Sequence, residues 1–212
     1  MRYTQLNNRL FKTNRSRFIE NMEDGSLAIF HSNDLMPKNA DQNMPFKQNS
    51  DLFYLTGIDQ EETALIIIKS RSIHTEILFV KETNKNIMIW EGNKLSKREA
   101  ENVSGIESVL WNTEFEKTLT NQLKLCHTVL LNSNEHPRAE VVVETRDARF
   151  SKWIKKKFPE LSYKKAANIL APIRSIKMPE EIEAIKLACD ITHKGVMRVL
   201  KTIRPGLYEF EL

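Results

Sequence analysis

The side chains of this 212-residue sequence that could do chemistry are its five histidines, its carboxylates and one dense polar run. His31, His74, His127, His136 and His193 stand singly, with no HExxH pattern and no pair at helical or strand spacing, so none of them marks a metal centre. Glu180, Glu181, Glu183 and Asp190 read as first-turn and solvent-face charges of a helix. A glycine-rich phosphate loop is absent, and nothing local marks a Ser-His-Asp or Cys-His set. The reading is therefore no catalytic residue and no metal ligand in this chain. The polar run is Lys47-Gln48-Asn49-Ser50-Asp51, followed by the large side chains Leu52, Phe53 and Tyr54. Charged and amide groups beside such bulk fit a helix start held at a cleft or an interface, where the chemistry is recognition.

The elements around that run position it. Pro45 disfavours helix at Met44, Asn49 or Ser50 can cap orphan amides, Leu52 and Leu55 share a face, and Gly57 supplies a left-handed stop. Upstream, Gln5 to Met22 reads as an amphipathic helix, Ser26 to His31 as a buried strand, and Ser32 to Asn43 as an irregular polar loop. Downstream, Glu62–Lys69 and His74–Lys81 form a strand pair around Ser70-Arg71-Ser72, central in a sheet because both runs are apolar. Ile87-Met88-Ile89-Trp90 reads as a third strand closed by Gly92. Ser96-Lys97-Arg98-Glu99 and Thr113-Glu114-Phe115-Glu116 read as capping boxes for two helices, ending at Gly105 and near Lys124. Thr128 to Leu131 is strand-like, Glu140 to Lys157 helical through Val142, Val143, Ala148, Trp153 and Ile154, and Leu161 to Tyr163 a last strand before a boundary at Ala171-Pro172. This alternation predicts an α/β fold, a mixed β-sheet flanked by helices.

From Lys177 the character changes. Pro179 with Glu180, Glu181 and Glu183 opens a long helix whose apolar set runs Ile182, Ile185, Cys189, Val196, Val199, Leu200 and Ile203. A further helix starts near Tyr208 and stops at Leu212, which reads as a chain cut just inside a second domain. The expected division is 1–176 for the α/β domain and 177–212 for a linker and the first helices of the next.

A net charge of +4, from 32 basic and 28 acidic residues, gives a mixed surface; Lys155-Lys156-Lys157 sits at a helix end, so nucleic acid is not an expected partner. No apolar run is long enough to span a bilayer, so no membrane partner is expected. Cys126 and Cys189, without CxxC or a leader, fit a cytoplasmic location.

Three segments carry a family resemblance. Met44 to Ile58 resembles the Tyr-Pro-Tyr-Arg-Gln-Asn-Ser-Asp-Phe-Tyr-Tyr-Leu-Thr-Gly segment of the amino-terminal domain of Xaa-Pro aminopeptidases, in the "pita-bread" creatinase and prolidase superfamily. Arg174 to Ile182 is similar to that family's Arg-x-x-Lys-Ser-Pro-Glu-Glu-Ile junction, and Arg204 to Phe210 to its Arg-Pro-Gly-Met-x-Glu-Tyr turn. Lys47 stands where relatives often have arginine, which loses bidentate geometry, and Met178 where they have a capping serine.

The resemblance implies removal of an amino-terminal residue preceding proline, by water bridged between two divalent metals, manganese being expected. The ligands would belong to a carboxy-terminal catalytic domain outside this sequence, and the chain alone is expected to be inactive. It implies a creatinase-like amino-terminal domain followed by the first helix of a truncated pita-bread domain. Its expected partners are its own catalytic domain, further copies in a homo-oligomer, and a proline-containing peptide. The resemblance also places Asp41 and Trp90 on the substrate-cleft rim, an aromatic to pack on proline rings and a carboxylate to orient an amine. Residue by residue, Trp90 is equally a packed strand-end side chain and Asp41 a solvated loop acid or Asx turn. Lys47, Asn49, Ser50, Asp51, Tyr54, Gly57 and Arg174 are the motif and interface candidates, Arg174 either pairing across domains or standing exposed. The competing readings are a non-catalytic peptide- or protein-binding module of the same superfamily, its prolidase or creatinase branch, and a plain assembly domain.

Overall fold

The apolar run Ala64 to Ile68 is buried throughout, which requires cover on both faces of its strand. The computed structural model, which describes residues 5–71, 73–133 and 142–212, supplies that cover. In chain order the first unit contains α1 (Asn8–Glu20), β1 (Ser26–His31), β2 (Pro37–Asn39), β3 (Gln42–Asn43), α2 (Ser50–Thr56), β4 (Ala64–Ser70), β5 (Ile73–Val80), α3 (Lys85–Glu91) and α4 (Lys97–Ser104). It continues through β6 (Val109–Trp111), α5 (Phe115–Leu123), β7 (Thr128–Leu131), α6 (Arg146–Lys157), β8 (Ser162–Lys165) and α7 (Ala167–Ser175). Six strands pair in the order β6-β5-β4-β1-β7-β8. The β1–β7, β7–β8 and β5–β6 pairs are parallel and both pairs of β4 antiparallel, so β4 alone is reversed.

Side-chain alternation splits the core between the two faces. Ala28, Phe30, Leu65, Ile67, Leu78 and Leu130 pack with residues of α1, α2, α4 and α7. Leu27, Ile29, Ile66, Phe79, Val129 and Leu131 pack with residues of α5 and α6. The result is a helix–sheet–helix sandwich. Arg15 of α1 lies fully buried on the first face, donating to Leu55 O (2.8 Å) and Ser104 O (2.9 Å), with its Nε 2.9 Å from Glu76 Oε2. One guanidinium thereby holds the carbonyl ends of α2 and α4 against β5, where the helix dipoles favour a cation.

The α/β class, the strands at Ser26–His31 and Thr128–Leu131 and the Ser96–Glu99 capping box form as expected. Several readings are corrected. Ile87 to Trp90 is helical, because the Asn84 side chain captures the amides of Asn86 and Ile87 (both 3.0 Å) and starts a turn. The Ser32–Asn43 segment carries a two-stranded ribbon, β2–β3. Thr113 caps no box; a 3₁₀ turn at Asn112–Glu114 leads into α5, and Glu114 accepts from the Trp111 amide. Helix α6 begins at Arg146 behind its cap Thr145, leaving Val142 and Val143 exposed ahead of it. Pro172 lies inside α7 instead of at a boundary, and the short strand β6 was not foreseen. Ser72, His136, Glu140 and Val141 lie outside the described residues.

The chain divides into two compact units, Met1–Ser175 and Ile176–Leu212. The second holds α8 (Pro179–Thr202), with Pro179 at its first position and the Met178 amide donating to Glu181 Oε2 (2.7 Å). After it comes a 3₁₀ turn at Glu209–Glu211 in place of a second α-helix, with the Tyr208 and Phe210 rings stacked 5.5 Å apart.

Candidate functional site

Strands β1 and β7 are parallel neighbours, but the chain leaves β1 toward α2 on one face and β7 toward α6 on the other. Adjacent strands whose continuations part in this way open a crevice beyond their carboxyl ends, the usual ligand position of open α/β sheets. Here the crevice has a volume of about 760 Å³. The polar run and the first turn of α2 form one wall, Ser133, Thr145 and Asp147 another, and Ala167, Leu170, Ala171 and Arg174 of α7 the third.

The α2 wall is built by its own sequence. Asn49 in extended backbone accepts from the amides of Asp51 (2.9 Å) and Leu52 (3.2 Å), and Gly57 ends the helix at φ +69°. Leu52 and Leu55 are fully buried. Gln48 donates to Ile58 O (3.1 Å) and Gln60 O (2.8 Å), tying the loop before α2 to the loop behind it. Arg174 forms an ion pair with Asp51 and lies 5.4 Å from the centre of the Tyr54 ring, so α7 and α2 are clasped together.

Asp147 is the hub of the second wall. Its Oδ1 lies 3.2 Å from His31 Nδ1, and its Oδ2 accepts from Asn132 Nδ2 (3.3 Å) and Asn49 Nδ2 (3.4 Å). Strand ends β1 and β7, α2 and α6 thus converge on one carboxylate that is 7% exposed. His31 is boxed by Phe150 and Phe115, ring centres 4.3 and 5.3 Å away. Burial lowers the His31 pKa, against the hydrogen bond and charge of Asp147, so the ring is neutral near pH 7 and donates from Nδ1. Beside this hub, Arg146 donates to Ser32 Oγ (2.9 Å) and Arg149 to both oxygens of Asp34 (2.8 and 3.0 Å). The end of β1 and the loop after it are therefore stitched to the first turns of α6 at His31, Ser32 and Asp34.

Of the residues singled out by sequence, Lys47, Asn49, Ser50, Asp51 and Arg174 meet in the crevice. Tyr54 and Gly57 serve the packing and the end of α2. Asp41 lies in the turn of the β2–β3 ribbon, exposed, and Trp90 on α3 with 87% of its surface exposed; neither lines the crevice. Trp90 is therefore not a packed core residue. Beside it, Lys81 bridges Glu62 (3.1 Å) and Glu91 (2.6 Å), securing the end of α3. Sequence reading missed His31, Asn132 and Asp147; the signal for the first two was the polar ending of the apolar strands β1 and β7, and Asp147 in the first turn of α6 carried none beyond a first-turn acid. Among the described residues no three His, Cys, Asp or Glu side chains group as a metal site.

The fold and crevice define a helix-covered α/β domain whose recognition groups cluster at a strand switch point. A family model described as "Aminopeptidase P, N-terminal domain" matches residues 11–131, and the chain belongs to that family. It is 27% identical to the Xaa-Pro aminopeptidase of Escherichia coli (strain K12) over 99% of the chain and 48% of that protein. To the Xaa-Pro aminopeptidase of Haemophilus influenzae it is 25% identical, over 95% of the chain and 45% of the relative. A putative aminopeptidase P from Bacillus anthracis superposes with a TM-score of 0.90 at 28% identity, covering 97% of the chain and 49% of that structure. Aminopeptidase P from E. coli with the inhibitor Pro-Leu gives 0.82 at 25%, covering 98% and 48%. The chain spans about half the length of the curated relatives it matches.

Proposed function

We propose that this chain is the amino-terminal domain of a metal-dependent Xaa-Pro aminopeptidase, supporting assembly and shaping the active site without performing the chemistry. The observation that carries this reading is the family match over residues 11–131, together with Xaa-Pro aminopeptidases about twice as long as the chain. The two divalent metals, manganese by expectation, would be held by a carboxy-terminal domain of the parent protein and would supply an activated water. Residues 1–176 would form the supporting domain and 177–212 the linker and opening helix of the catalytic one. The expected setting is a cytoplasmic homo-oligomer acting on proline-containing peptides.

In this reading Asp41 and Trp90 stand at the substrate-cleft rim. Their exposure on a ribbon turn and on a short secured helix leaves both free to meet a peptide bound elsewhere in the assembly. The motif residues Lys47, Asn49, Ser50, Asp51, Tyr54, Gly57 and Arg174 hold α2 and α7 in place or face an interface. The test is steady-state kinetics of the parent protein on Xaa-Pro tripeptides. Trp90→Ala is expected to raise KM about tenfold, the loss of one aromatic contact, with a smaller effect on kcat. An unchanged KM for both Trp90→Ala and Asp41→Ala would remove the rim from the proposal.

A further inference from the structure

The switch-point crevice carries two opposite charges that no lysine, arginine or carboxylate contacts as an ion pair among the described residues, Arg146 acting on Asp147 only at longer range. Asp147 is a buried carboxylate held by neutral donors, two asparagine amides and an imidazole, and no lysine or arginine pairs with it among the described residues. Burying a carboxylate without a cation in direct contact is costly, and the three donors and the more distant Arg146 offset only part of that cost. A cation arriving beside Asp147 would offset the rest. Lys47, lining the same crevice, is exposed and likewise has no ion-pair partner among the described residues. Asp51 and Arg174 neutralise each other. Between the polar walls runs an apolar strip of α7, Ala167, Leu170 and Ala171 at i, i+3 and i+4, with Leu170 mostly buried beneath the two alanines. The hydroxyls of Ser50 and Thr145 lie on the lining as well.

We infer that this crevice binds a small zwitterion, a free amino acid or short peptide, with its ammonium group at Asp147, its carboxylate at Lys47 and its side chain on the Ala167-Leu170-Ala171 strip. The volume suits a ligand of that size, with room for retained water. The Lys47 contact is solvent-screened and weak, whereas the Asp147 contact is desolvated and carries most of the selectivity. A modest, roughly millimolar affinity follows for so few atoms. The site is independent of whether the parent protein hydrolyses Xaa-Pro peptides.

The test is titration of the chain with Ala-Ala, N-acetyl-Ala-Ala and Ala-Ala amide, followed by amide chemical shifts. Ala-Ala is expected to saturate and to shift residues 47–51, 145–147 and 167–174. The acetylated form should bind about tenfold more weakly and the amide about threefold more weakly. Lys47→Met, an exposed change that leaves the core intact, should abolish the preference for the free acid over the amide and keep the preference for the free amine. Equal binding of all three peptides, absence of binding by any of them, shifts elsewhere in the chain, or a Lys47→Met variant with unchanged acid preference would each overturn the assignment.

Discussion

His31 Nδ1 and Asp147 Oδ1 lie 3.2 Å apart, a hydrogen bond between residues separated by 116 positions that ties the end of β1 to the first turn of α6. The donor is buried and neutral, and its acceptor also serves Asn49 and Asn132. Removing the carboxylate strands three donors at once. Asp147→Ala should lower stability by about 3 kcal/mol, toward the upper end for unsatisfied buried groups. Denaturant unfolding followed by Trp153, which packs 5.5 Å from Phe150 in the same helix, measures it. A change below about 1 kcal/mol would contradict the hub.

The same histidine sets a pH dependence. Its folded pKa lies below the unfolded value of about 6.5, so the unfolded state binds the proton more readily. The stability it contributes is complete above pH 6.5 and is lost as pH falls from there toward the folded pKa. Between pH 7.5 and 5.5 the melting temperature of the chain should fall, and His31→Gln should flatten that slope. Parallel slopes for both proteins would remove His31 as the cause.

Arg15 offers a second structural test. Its guanidinium joins Leu55 O, Ser104 O and Glu76 from within the core, so Arg15→Met leaves a half-buried carboxylate and two helix-end carbonyls without their donor. A loss of about 3–5 kcal/mol is expected, read from the urea midpoint at constant m-value. Glu76→Gln should cost less, because Glu76 is partly solvated and the amide oxygen still accepts.

Gly57 and Gly105 form a matched pair, both left-handed helix ends. Their φ values are +69° and +71°, but a Cβ at Gly57 would overlap the Phe11 ring whereas one at Gly105 meets the flexible side chain of Lys12. Gly57→Ala should therefore cost about 2 kcal/mol or more and Gly105→Ala about 1 kcal/mol, mainly the backbone contribution. Thermal melts of the two variants give the comparison directly.

Much of this architecture is legible in the residues. The Asn49 cap, the Gly57 stop and the Ser96–Glu99 box are local devices, and they form as their spacing requires. Failures arise where two local signals compete or where the deciding contact is distant. Ile87 to Trp90 has strand composition, yet the Asn84 cap nucleates a helix over it. Pro172 reads as a stop, yet α7 continues through it because Leu170 and Ile173 are buried on the sheet and Arg174 grips Asp51 on α2. Val109 to Trp111 is too short to register as a strand without its neighbour β5. The candidate site was half visible. Lys47 to Asp51 announces a polar helix start, but the partners across the crevice, His31, Asn132 and Asp147, come from three other parts of the chain and share no local pattern.

The most direct measurement of the central claim is hydrolysis of an Xaa-Pro peptide in the presence of manganese, by the purified 212-residue chain and by the longer parent protein. If this chain shapes a site whose metals are held elsewhere, the parent releases the amino-terminal residue and the isolated chain does not. Metal-dependent release by the isolated chain at enzyme-like rates, or a parent inactive on every Xaa-Pro peptide, would contradict it.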